Sequence, residues 1–160
     1  MGHKGQEIVE VDVKEIVKML QSAYSDEWLA HYNYLHAAQI ARGLNAPQVS
    51  GMLKARANDE LGHALLIGER ILELGGTLPN DWAEIPKLAS CAKFPLPKSA
   101  SDVKGILKAV LQAERCAIDT YKDLLKRTLH KDTVTQELVE TLLADEVKDE
   151  EETENLIGEE

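Results

Sequence analysis

Aromatic residues make up only 4% of this 160-residue chain, and the sequence has just two cysteines and five prolines. No run of apolar residues is long enough to span a bilayer, so a membrane role is not expected. The first residues, Met1 to Glu7, lack the apolar stretch of a secretory signal, which makes the cytoplasm the expected location. Blocks of positive charge are missing too: Lys and Arg are scattered through a chain whose formal net charge is −10. An acidic surface repels phosphate backbones, so nucleic acid is not expected as a main partner. Such acidity serves solubility or draws cations, and composition alone does not separate the two.

What is plentiful is Ala, Leu, Glu and Lys, a mixture that favours helix. A chain of this length can bury one core without staples, and a single domain over 1–160 is expected. Helical periodicity runs through four stretches, at about 13–42, 47–74, 102–129 and 134–157. The first carries the stripe Val13, Val17, Leu20, Tyr24, Glu27, His31, Tyr34, Ala38, Ala41. Asp12, Ser101-Asp102 and Thr133 with Gln136 supply start signals, whereas Gly43 and Gly75-Gly76 supply stops. Short loops at 43–46 and 130–132 make each pair an antiparallel hairpin. Four of the five prolines fall in the long segment 76–101, which can carry the chain back along the bundle and has room for a short helix at 81–89. Two hairpins joined by one long crossover is the expected all-α architecture.

Acids interrupt the apolar stripes at core positions: Glu27, then Glu60 with His63, then Glu114, then Glu146 with Asp149. Buried carboxylates need protons, cationic partners or a metal, and no Lys or Arg is expected on these stripes. The halves of the chain repeat. Glu27 and Glu60 are 33 positions apart and Glu114 and Glu146 are 32, and a Tyr follows the first acid of each half by seven (Tyr34, Tyr121). The second and fourth helices carry Asp59-Glu60-Leu61-Gly62-His63 and Asp145-Glu146-Val147-Lys148-Asp149. One Glu from each of two helices and an i, i+3 pair from each of the others is the carboxylate di-metal plan. Oxygen ligands with imidazole suit iron or manganese.

These motifs, above all Asp59 to His63 followed by Gly68-Glu69-Arg70-Ile71-Leu72-Glu73-Leu74-Gly75-Gly76, resemble the bacterioferritin and Dps-like side of the ferritin-like superfamily over about 25–157. The resemblance implies a ferritin-like four-helix bundle with its long crossover between helices 2 and 3. It implies two iron ions held by Glu27, Glu60, His63, Glu114 and Glu146, with Glu60 and Glu146 bridging, and with Tyr34 and Tyr121 hydrogen-bonded to the carboxylates. Manganese or zinc could stand in iron's place. Leu61 replaces the Met that ligates haem in haem-binding bacterioferritins, so no haem is expected.

Cys91 in the crossover and Cys116, two residues after Glu114, are similar to the cysteine pair of the thioferritins, or Dps-like proteins. Two residues along a helix is about 200°, so Cys116 points away from the metals. Spacing leaves both free thiols and a bridge open; the resemblance implies a Cys91–Cys116 pair. It also implies a homo-oligomer of twelve chains that oxidises Fe(II) with hydrogen peroxide or dioxygen and stores ferric mineral in a cage.

Asp149 departs from the family's pattern, which has His there. As a ligand it would bring the site to five carboxylates and favour the ferric state. His31, one turn from Glu27, is a substitute ligand or a hydrogen-bonded core residue, whereas His3, His36 and His130 lack a motif and read as surface groups. Two other functions remain in view. A rubrerythrin-like di-iron peroxidase without a cage would usually bring Cys-x-x-Cys pairs, absent here. A DNA-protecting Dps-type protein would want a basic patch.

Overall fold

The computed structural model describes residues 2–158. A short helix, α1 (His3–Glu7), precedes the four long ones: α2 (Val13–Ile40), α3 (Ala46–Glu73), α5 (Val103–Thr128) and α6 (Thr133–Ile157). The crossover contains a 3-10 turn (Trp82–Glu84) running into α4 (Ile85–Leu88). Helix limits fall within two residues of the sequence expectation, and α1 is an addition to it.

Local chemistry accounts for the boundaries. Asp12 accepts a hydrogen bond from the Lys14 N–H at 2.9 Å, and Asp102 accepts one from Gly105 at 2.8 Å. Asp132, not Thr133, caps α6 by accepting from the Thr135 N–H, and Gln136 Oε1 instead accepts from the His130 N–H. Gly75 turns the chain out of α3 with φ +84°. Gly76 then passes so close to α2 that a Cβ would come within 2.5 Å of Val17.

Helix α2 packs along α3 and α5 along α6, and the hairpins join through α2–α5 and α3–α6. The apolar core has two parts. One gathers Tyr34, Ala37, Leu53, Ala57, Leu107, Val110 and Ile157; the other gathers Ile16, Leu20, Ile67, Ile71, Tyr121 and Leu142. Between them, on each long helix, lies the acid that interrupted its stripe. Near the end of α6 Ile157 is buried and Leu156 exposed. A buried latch closes the far end of the bundle, where Arg70 donates to Asp132 and Thr135. His36 and His130 are exposed, and the His3 side chain lies outside the described residues.

The crossover is tied down at Cys91, which forms a disulfide with Cys116 of α5 across a Cα–Cα distance of 5.8 Å. The bridge closes a loop 25 residues apart in sequence. Loop closure of that size restricts the unfolded chain by about 3 kcal/mol. Replacing both cysteines by Ser is expected to lower the unfolding free energy by roughly that amount in urea melts. An unchanged midpoint would mean that the strap is held by its other contacts.

Candidate metal centre

Helical spacing delivers the polar residues to one level. Glu27 sits one turn beyond Ala23 of one core cluster and two turns before Tyr34 of the other, and Glu60, Glu114 and Glu146 occupy the same middle station of their helices. All four side chains are nearly sealed from solvent, at 2%, 3%, 1% and 2% exposure. His63, one turn after Glu60, is 9% exposed.

Four of these groups converge. Ligand atoms of Glu27, Glu60, His63 and Glu146 all lie within 4.8 Å of one another. His63 Nδ1 is 3.3 Å from Glu60 Oε2 and from Glu146 Oε1, and 3.6 Å from Glu27 Oε2, in each case without hydrogen-bond geometry. Those four atoms are buried and unpartnered. Buried polar atoms are almost always satisfied; these four orphans, which with Arg56 Nε are the buried unpartnered side-chain atoms among the described residues, form a group that could hold a cation with oxygen and imidazole ligands. The outward nitrogen, His63 Nε2, lies 3.4 Å from Asp145 Oδ2, the arrangement that orients a metal-binding imidazole. Tyr121 donates a hydrogen bond to Glu27 Oε1, fixing that carboxylate from α5.

The other half is built differently. Glu114 and Asp149 do not join the converging group; both face Arg56. Its Nη1 lies 3.2 Å from Glu114 Oε1, which also accepts from the Tyr34 hydroxyl at 2.9 Å. Its Nε lies 3.2 Å from Asp149 Oδ2. Arg56 also donates to the Thr153 hydroxyl at 2.5 Å and to the Asp149 carbonyl at 2.7 Å, and it is 3% exposed. The expectation that no basic residue shares these stripes is therefore corrected. Arg56 stands four residues before Glu60, one turn back on the same face of α3, a spacing that is legible in the sequence. Asp145 is a second partner that the carboxylate pattern alone did not single out. His31 stands apart from the cluster, its Nδ1 hydrogen-bonded to the Ala57 carbonyl at 2.5 Å.

The charges of this layer act strongly on one another. Burial drives the carboxyls of Glu60, Glu114 and Glu146 upward, reinforced by repulsion from Glu27 and Glu146 at Glu60, from Glu146 at Glu114 and from Glu27 at Glu146, where His63 opposes the rise. Arg56 partly offsets the rise at Glu114. For Glu27 burial is outweighed by the nearby His63 imidazole and by the hydrogen bond from Tyr121, which hold its carboxyl below the usual range. For His63 burial is likewise outweighed, and Glu146, Glu27 and Glu60 keep its imidazole protonated far above the ordinary range.

Two faces enclose the centre. On the crossover side, Cys91 and Phe94 border a cavity lined by Glu27, Glu60, Glu114 and Glu146. Here Asp26 accepts from the Ser90 hydroxyl and the Cys91 N–H, both at 2.6 Å, pinning the crossover beside Glu27. On the α3–α6 side, an open cleft of about 390 Å³ reaches His63 between Asp59, Asp145, Lys148 and Asp149.

Burial lifts the Asp26 carboxyl from 3.8 to about 6, its hydrogen bonds only partly opposing the rise. A raised carboxyl favours folding below its unfolded value, and that contribution disappears as pH climbs through the folded value. Metal-free protein is therefore expected to lose stability between pH 4 and 6, with up to about 3 kcal/mol assignable to Asp26. Urea melts of Asp26→Asn should show a flatter profile in that window; an identical profile would exclude Asp26 as its source.

A profile described as "Ferritin-like domain" matches residues 17–160. The chain is 32% identical over 140 residues to a "DNA protection during starvation protein" of Pyrococcus furiosus, covering 88% of this chain and 75% of that protein. Its fold matches a dodecameric thioferritin of Bacteroides fragilis with TM-score 0.90 and 32% identity, over 96% and 92% of the two chains. It also matches a ferritin-like, diiron-carboxylate protein of Bacillus anthracis with TM-score 0.79 and 25% identity, over 98% and 99%.

Proposed function

The chain belongs to the ferritin-like domain family, on the Dps and thioferritin side, and from that premise we propose that it oxidises and stores iron. One observation carries this reading: the buried, unpartnered atoms of Glu27, Glu60, His63 and Glu146 lie within 4.8 Å of one another, a set that could ligate a hard divalent cation. The B. fragilis neighbour is a dodecameric thioferritin and the B. anthracis one a diiron-carboxylate protein, which supports iron as the cation and a twelve-chain cage as the assembly.

Fe(II) is the substrate. The α3–α6 cleft, with Asp59 and Asp145 at its sides, gives a cation a negative approach to His63. An ion would take His63, Glu60 and Glu146 in their deprotonated forms, so it competes with protons at the site. In this reading Glu60 and Glu146 would be shared between two ions, and Tyr121 and Tyr34 would steady the carboxylates of Glu27 and Glu114, to which they donate hydrogen bonds. Two Fe(II) ions surrender one electron each; with hydrogen peroxide and two protons the products are two Fe(III) ions and two waters. Dioxygen is the alternative oxidant. The chain supplies ligands, orientation and an enclosed pocket, while the metal supplies the redox chemistry.

A DNA-protecting role is suggested by the name of the P. furiosus relative, but a net charge of −10 opposes tight contact with phosphate backbones. The test is anaerobic Fe(II) loading followed by peroxide or air, with ferric absorbance, metal counting and size-exclusion chromatography on one sample. A twelve-chain assembly that consumes Fe(II) faster with peroxide supports the proposal. A dimer that turns over peroxide without retaining iron would favour a rubrerythrin-like peroxidase, and an assembly that takes up no iron would end the reading.

A further inference from the structure

The two halves of the centre repeat in sequence but not in structure. In one half the inward atoms of Glu27, Glu60, His63 and Glu146 are unpartnered. In the other, where a second ion would need Glu114 and Asp149, a side-chain cation already stands. Arg56 is held by Glu114, by the Asp149 carboxylate and carbonyl, and by Thr153, all at 2.5–3.2 Å. We propose that Arg56 is a built-in counterion for the second position: one ion binds tightly at Glu27, Glu60, His63 and Glu146, and a second binds only when the guanidinium leaves.

A guanidinium does not shed its charge in a protein, so it cannot make way for a metal by losing a proton. A divalent ion coordinated by both Glu114 and Asp149 would sit against a fixed positive charge in a poorly screened interior. Admitting it means withdrawing Arg56 from three well-formed hydrogen bonds and one close ion pair. The rim offers somewhere to go, since Glu152 Oε2, on a half-exposed side chain, is already 3.6 Å from Nη2. Asp149 belongs to the same device. An Asp at this position supplies the negative charge that faces Arg56 Nε, which a His could not. Metal occupancy is thereby made sequential and unequal.

This inference rests on the proposed reading that the cluster takes a cation, and the count of bound ions separates the two. The test is an anaerobic titration of the intact metal-free assembly with Co(II), followed by its visible absorption and by equilibrium dialysis. The unsubstituted protein is expected to bind one Co(II) per chain tightly and a second at least about a hundredfold more weakly, the scale of breaking a buried charge pair. Two ions with affinities within tenfold of each other would overturn the inference while leaving iron binding intact; no bound ion would overturn both. Arg56→Met with Asp149→His should bring the two affinities within about tenfold. Should that variant fold and still bind a single Co(II), Arg56 is not what withholds the second position; should it fail to fold, the count on the unsubstituted protein decides alone.

Discussion

Glu60→Gln is expected to fold at least as stably as the parent when metal-free and, on the proposed reading that Glu60 is a ligand, to oxidise iron about 100-fold more slowly or worse, because a neutral amide is a far weaker ligand for a hard divalent ion than a carboxylate. Burial raises the Glu60 carboxyl well above its ordinary range, and repulsion from Glu27 and Glu146 lifts it further. A group shifted in that direction stabilises the fold below its unfolded value and loses that contribution as pH rises through the folded one. Gln mimics the protonated form at every pH, so the metal-free variant escapes the loss while the ligand is gone. Urea melts at pH 7 and stopped-flow absorbance of the ferric product report the two effects separately. A variant that oxidises iron at the parent's rate would remove Glu60 from the centre.

Arg56→Met is expected to cost metal-free protein about 3 kcal/mol at pH 7, within the range for breaking a buried ion pair by removing one partner. The loss should shrink toward acid pH. Without Arg56 the Glu114 carboxyl rises further, so below its folded value it holds a proton and the missing cation no longer matters. Arg56→Met combined with Glu114→Gln should recover most of the deficit, and the double-mutant cycle measures how much of the cost is their pairing. Additive losses would mean that Arg56 serves chiefly Asp149 and Thr153.

Most of this molecule was written in its periodicities. The helices could be placed because apolar residues recur at alternating three and four, and Asp12 and Asp102 begin them as side chains that accept N–H groups ordinarily do. The acids were visible for the opposite reason: Glu at a core station is expensive and therefore conspicuous. What stayed hidden was pairing between elements. The stripes show which face Arg56 shares with Glu60, yet only packing reveals that its guanidinium crosses to α6 and reaches Asp149 and Thr153. The α6 cap moved from Thr133 to Asp132 because Asp132 also answers Arg70 from α3, a tertiary demand that a capping pattern does not contain. The Cys91–Cys116 bridge lay beyond spacing for the same reason; it depends on where a proline-rich crossover comes to rest.

The divided core has a consequence for how the bundle breathes. Each long helix runs from one oily half through a belt of acids to the other, so cohesion is weakest at its waist. Amides there should exchange with deuterated solvent by local opening, well below the free energy of global unfolding. A single cation clasping three helices at that level would close the waist, turning two loosely coupled halves into one cooperative unit and slowing exchange on both sides of it.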